Sequence, residues 1–276
     1  MKLYRTTRGI VIERNGAVVL LERGNWDEFV NDDDLFQNMV RAVQSGTPTA
    51  DAGITRDLLP PMQSQEIWAS GVTYYRSKVE RQKESKEAGG SDFYARVYEA
   101  ERPELFFKAG AHRTVGSGGT VRIRRDSSWN VPEPELTLMI TSSGKIVGYT
   151  IGNDMSSRSI EGENPLYLPQ AKTYDGCASV GPCLYVPDAL LDPDTMIRMR
   201  ILRNGVPVFE GEVALRQMKR TREELVAFLF RESSFPYGCL LMTGTGIVPQ
   251  RDFTLRKDDE IHITIDPVGT LINFVG

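Results

Sequence analysis

Glu133 and Glu135 stand two residues apart in Pro132-Glu133-Pro134-Glu135, directly before an apolar run. In a strand, positions i and i+2 project from one face, so the two carboxylates would point together. A turn at Ser142-Ser143-Gly144-Lys145 follows, then a second apolar run ending in Gly152-Asn153-Asp154. If Ser143-Gly144 is a two-residue hairpin loop, Ser142 pairs with Lys145, and counting outward sets Asp154 across from Glu133. Cβ atoms facing each other in this way lie about 4.5–5.5 Å apart, with Glu135 on the same face. Three carboxylates that close repel one another unless one is protonated or a cation sits between them. A hard divalent ion resolves the conflict. Three carboxylates plus water or substrate oxygens suit Mg²⁺, with Mn²⁺ a near neighbour and Ca²⁺ less favoured by so compact a set. An exposed sheet face with Asp154 capping a turn fits Glu-x-Glu alone; the hairpin register puts the metal site level with that alternative.

The stretch from Asp154 to Pro182 is rich in polar and small residues and predicts a long functional loop with little helix or strand. Lys172 is the lone lysine in it and its only amine for proton transfer. The chain has two histidines, His112 and His262, neither in H-E-x-x-H, so a metal would have to take oxygen ligands. Three cysteines, Cys177, Cys183 and Cys239, show no C-x-x-C spacing, which argues against a disulfide framework and for a reducing cytoplasm. With 33 Lys plus Arg against 37 Asp plus Glu, the net charge of −4 offers no footprint for nucleic acid. No run approaches the roughly 18 apolar residues of a membrane span, and the N-terminus lacks the apolar core of a signal peptide. Gly116-Ser117-Gly118-Gly119 lacks the spacing of a nucleotide-binding loop.

These residues must be carried by a β-rich α+β fold. Gly9 to Leu21 predicts a hairpin turning at Asn15-Gly16, and Leu35 to Ser45 a helix. Pro60-Pro61 marks a boundary between a small N-terminal domain, 1–60, and a catalytic domain, 61–276. The charged segment from Tyr74 to Ala88, closed by Gly89-Gly90, fits a solvated helix or a mobile lid. Further strands are predicted at Thr120–Arg124, Leu136–Ile140, Ile146–Ile151, Ile197–Leu202, Val213–Leu215, Leu240–Thr243 and Ile261–Ile265. One helix interrupts them at Thr221–Arg231, where Thr221 and Glu224 form a capping box.

Pro132 to Leu136, Gly148 to Arg158, Gln170-Ala171-Lys172, Gly181-Pro182 and Thr243-Gly244-Thr245-Gly246, in that order, resemble the fumarylacetoacetate hydrolase superfamily over roughly residues 65–276. The resemblance implies a mixed β-sheet/β-roll catalytic domain, a metal held by Glu133, Glu135 and Asp154, an active-site lysine at Lys172, and functional positions at Arg158 and Thr245. Hydrolytic members carry G-x-N-Y-x-x-H; here Gly71 to Ser77 fills that stretch, with Ser77 in place of the histidine. The family's glutamine seven residues after the metal Asp is Glu161. Arg102 to Ala109 and Glu161 to Gln170 look most like the branch of 2-keto-3-deoxy sugar-acid dehydratases, typified by those acting on 2-keto-3-deoxy-D-arabinonate. In that branch a glutamate matching Glu104 works with the lysine.

The implied activity is Mg²⁺-dependent elimination of water from a small 2-oxo acid, without nucleic acid or membrane, in a cytoplasmic homodimer or homotetramer. Lys172 and Glu104 would divide the base and acid roles in either order. A lysine beside a divalent cation has its charged form disfavoured, and a carboxyl beside Leu105-Phe106-Phe107 is suited to donating a proton. Lys108 and Arg158 would contact the substrate carboxylate or hydroxyls, and Thr245 would donate a hydrogen bond. The alternatives are a Mg²⁺-dependent C–C hydrolase of acylpyruvates or diketo acids, and a metal-stabilised binding protein without turnover.

Overall fold

A computed structural model describes residues 1–22, 24–50, 52–77, 79 and 91–276. The charged segment proposed as a solvated helix or lid lies, from Lys78 to Ala88 and apart from Val79, outside the described residues. Among the described residues, no helix is long and apolar enough to cross a membrane.

The molecule is organised around one large mixed sheet. Its strands run in the spatial order Ala17–Glu22, Gly9–Arg14, Lys2–Thr6, Ala178–Tyr185, Ile146–Asp154, Pro134–Ile140, Cys239–Met242, Glu66–Gly71 and Glu104–Ala109. A second, five-stranded sheet comprises Val206–Ala214, Met196–Arg203, Glu260–Ile265, Gly269–Val275 and Thr120–Val121. Leu136, Leu138 and Ile140 share one core cluster with Ile197, Met199, Ile261 and Ile263 of the second sheet. Met139, Leu240 and Met242 share the other with Trp26, Leu35 and Met39 of the N-terminal helices. The central strand Pro134–Ile140 is therefore covered on both faces and buried along its whole length.

The N-terminal hairpin forms as expected, with Asn15 at φ 52° and Gly16 at φ 82°, the left-handed pair that a tight hairpin turn requires. The helix Leu35–Ser45 is present, and Thr221 Oγ1 accepts the Glu224 amide at 3.1 Å to start the helix Arg222–Leu229. The segment 1–60 shares its framework with the rest of the chain: Lys2–Thr6 pairs on one side with Gly9–Arg14 and on the other with Ala178–Tyr185.

The stretch after Asp154 differs from the expected long loop. It contains the short strand Ser156–Ser157, the helices Arg158–Glu163 and Leu168–Lys172, and the long strand Ala178–Tyr185. Asn164 accepts the Leu166 amide and Pro165 follows it, so a turn of 3₁₀ helix links the two helices. The strand is packed tightly enough that Ala178, Ser179 and Gly181 replace the usual branched residues, which hides it from a pattern search.

The hairpin that carries the carboxylates also departs from expectation at its tip. Thr141, not Ser142, pairs with Lys145, and Gly144 at φ 87° completes a three-residue loop. Ile140 then faces Ile146 while Met139 faces Gly148, leaving Val147 as a bulged extra residue. Beyond the bulge the register is the one deduced from a two-residue loop, with Glu135 opposite Gly152.

Candidate active site

Glu133 and Asp154 exchange both backbone hydrogen bonds, at 3.2 and 3.0 Å, and so form a directly facing pair. Glu133, Glu135 and Asp154 each present a carboxylate oxygen, and these atoms all lie within 4.8 Å of one another. All three residues are buried, at 3%, 1% and 1% exposure. Glu135 Oε2 accepts the Gly244 amide at 2.5 Å. Gly244 has φ 93°, and a Cβ there would lie 2.0 Å from Thr73 Oγ1, so this close approach requires glycine. Burial first, and then the charges of Asp154 and Glu133, push the Glu135 carboxyl well above the usual carboxylate range.

Among the described residues, three cations answer these charges. Lys172, at the end of its short helix, donates from Nζ to Glu133 Oε2 at 2.7 Å, Asp154 Oδ2 at 3.0 Å and Ser156 Oγ at 2.6 Å. Lys108 is fully buried, lies 2.7 Å from Asp154 Oδ1 and donates to the carbonyls of Met155 and Lys172. Arg158 donates to Glu133 Oε1 at 2.5 Å and lies 3.9 Å from Glu161 Oε2. Lys108 and Arg158 thus join the cluster on Asp154 Oδ1 and Glu133 Oε1, and neither is among the residues that line the cavity.

The cavity is lined by the three carboxylates and Lys172 together with Glu104, Phe106, Ser77, Glu161, Leu168 and Thr245. The Phe106 ring centre is 5.8 Å from Lys172 Nζ. Thr245 Oγ1 donates to the Ile247 carbonyl and accepts its amide, both at 3.2 Å. Glu104 pairs in register with Gly71, and its side chain lies over that glycine: a Cβ at position 71 would come within 2.0 Å of Glu104 Oε2. The donor set, three hard anionic oxygens at short mutual range, fits a divalent cation.

Ser156 and Gly71 belong to this site and lie beyond the reach of the spacing argument. The available signals were a third acceptor needed by a buried ammonium, and a glycine ending an apolar run beside the Ser77 stretch. Neither histidine approaches the cavity. His112 is exposed, and His262 lies in the second sheet beside Glu260 at 2.5 Å.

Residues 66–276 match the family model described as Fumarylacetoacetate (FAA) hydrolase C-terminal, and the chain belongs to that family. The whole-chain architecture agrees with the β-rich fold expected from its motifs. Among its relatives, the chain is 46% identical over 226 residues to a probable 2-keto-3-deoxyxylonate dehydratase of Haloferax volcanii, covering 82% of this chain and 77% of that protein. It is 43% identical over 240 residues to the 2-dehydro-3-deoxy-D-arabinonate dehydratase of Saccharolobus solfataricus, covering 86% and 78%. A solved structure of 2-keto-3-deoxy-D-arabinonate dehydratase complexed with magnesium and 2,5-dioxopentanoate matches with a TM-score of 0.83 at 35% identity, over 100% of this chain and 98% of that one.

Proposed function

We propose that this protein is a Mg²⁺-dependent hydro-lyase that removes water from 2-keto-3-deoxy sugar acids such as 2-keto-3-deoxy-D-arabinonate. The observation that carries the reading is a cavity in which Lys172 adjoins the carboxylate triad, Glu104 supplies a further carboxyl, and Ser77 stands where a hydrolytic member would place histidine. The relatives' dehydratase names and the magnesium of the matching structure support it.

Glu133, Glu135 and Asp154 would hold the cation. Bound there, it supplies Lewis acidity toward the oxygens of a 2-oxo acid and makes its C3 hydrogens more acidic. Lys172 sits against the triad; with a divalent cation beside it the charged form of the amine would be disfavoured, and the neutral amine takes the C3 proton. Glu104, carried on a different strand, delivers a proton to the C4 hydroxyl as the C4–O bond breaks, so the group leaves as water. The electron pair of the broken C3–H bond becomes the C3=C4 double bond. In a pentonate, loss of a C5 proton, gain of one at C3 and ketonisation of the resulting C4=C5 enol yield 2,5-dioxopentanoate. Ser77, Glu161 and Thr245 provide polar wall for the hydroxylated end. Lys108 and Arg158 hold Asp154 and Glu133 in place.

The test is incubation with Mg²⁺ and either a 2-keto-3-deoxypentonate or an acylpyruvate. A 2-oxo acid semialdehyde is expected from the first; pyruvate release from the second without any semialdehyde would favour the hydrolase. The role of Glu104 has its own check. Gly71→Ala places a methyl group where the Glu104 carboxylate lies and is expected to lower kcat about tenfold while leaving Mn²⁺ binding intact. Steady-state kinetics with unchanged kcat would remove Glu104 from the reaction. Assembly into two or four copies and residence in the cytoplasm belong to the same proposal, supported by family membership and three buried free cysteines.

A further inference from the structure

We propose that Ser156 is a positioning residue that aims the Lys172 amine at the substrate, an inference resting on the base role given to Lys172 above. Ser156 is fully buried. Its hydroxyl donates to the Asp154 carbonyl at 3.1 Å, which turns an oxygen lone pair toward Lys172 Nζ at 2.6 Å. The backbone of Ser156 is held in turn by pairing with Val131.

Among the described residues Lys172 Nζ has three hydrogen-bond acceptors, and two of them, on Glu133 and Asp154, are carboxylates of the metal triad. Ser156 Oγ is the neutral one and has no part in that triad. Its bond to the amine therefore uses no oxygen that a cation in the triad would need. The opposite end of the residue is fixed as well, because Lys108 Nζ donates to the Lys172 carbonyl. The amine therefore swings on a stem anchored at its base, with Ser156 setting the direction of its tip. Misplacing a reacting group by about 1 Å costs up to roughly a hundredfold in rate.

The adjacent Ser157 provides the control. It is also fully buried, but its hydroxyl donates to Asn130 Oδ1 at 3.2 Å and does not contact Lys172. With the Mg²⁺-loaded enzyme in D₂O, exchange of the C3 hydrogens of 2-oxobutanoate, followed by NMR, isolates proton abstraction from loss of water. Ser156→Ala is expected to slow exchange at saturating probe about tenfold or more, with KM and Mn²⁺ affinity within about twofold of wild type. Ser157→Ala is expected to stay within about twofold on every measure. Wild-type exchange in Ser156→Ala, an equal loss in Ser157→Ala, or a loss confined to KM or Mn²⁺ binding would overturn the proposal. No C3 exchange by the wild type would overturn it together with the base role of Lys172. If the wild type exchanges C3 hydrogens yet forms no semialdehyde from a 2-keto-3-deoxypentonate, the dehydratase assignment fails and the Ser156 comparison still stands.

Discussion

Lys172→Met is expected to lower kcat for dehydration by about three orders of magnitude, within the 10²–10⁴ range typical of a positioned acid–base group. That loss corresponds to about 4 kcal/mol of barrier. Methionine keeps an unbranched apolar stem out to Cε but removes the nitrogen that touches Glu133, Asp154 and Ser156. Removing one partner from a buried ion pair can cost about 3–5 kcal/mol of stability, so the variant should be assayed with Mg²⁺ in excess to neutralise the triad. Turnover is followed as semialdehyde formed per enzyme, alongside Mn²⁺ binding and a thermal melt. A variant that folds, binds Mn²⁺ and retains more than about a tenth of wild-type kcat would exclude Lys172 as the base. The expected loss would also exclude a binding protein without turnover.

Removal of the divalent ion should reshape the pH dependence of stability, because the Glu135 carboxyl in the metal-free fold is held well above its ordinary value of 4.5. The folded chain then binds a proton that the unfolded chain has released. A raised pKa of this kind contributes stability that is fully present below the unfolded value and is lost as pH rises through the folded one. In EDTA, the difference in stability between wild type and Glu135→Gln should therefore shift in favour of the wild type as pH falls from 8 toward about 5. At pH 7 the metal-free variant should be at least as stable as metal-free wild type, since the amide removes one of three crowded charges. Mg²⁺ at a hundredfold excess over its Kd adds about 2.7 kcal/mol to the wild type, a rise in Tm of roughly 5 °C or more. Glu135→Gln should lose most of that rise. Thermal melts of both proteins with EDTA and with Mg²⁺ across this pH range provide the check. A wild-type advantage in EDTA that grows with rising pH would contradict the crowding of the triad.

What the sequence made legible was what short-range periodicity can encode. The alternation around Glu133 and Glu135, the Asn15-Gly16 turn and the Thr221 cap each depend on a few neighbouring residues, and each is present in the fold. The strand Ala178–Tyr185 was hidden because burial had replaced its branched residues with small ones. Lys108 and Arg158 were expected near the substrate carboxylate or hydroxyls, and the fold sets both against carboxylates of the triad. Their contacts with Asp154 and Glu133 depend on pairings between distant segments, which spacing along the chain does not report. Ser156 was overlooked for a related reason: a serine next to a metal ligand has no signature until Lys172 is brought against it.

Val147 works as a phase correction. A three-residue connection, taken alone, would offset the returning strand by one position and turn the Asp154 side chain away from Glu133. The extra residue at Val147 cancels that offset before the chain reaches Gly148. Tip and bulge are thus a compensated pair. Either can change length without scrambling the ion-binding parity only if the other changes with it, so an inherited insertion or deletion in this hairpin should come in matched halves.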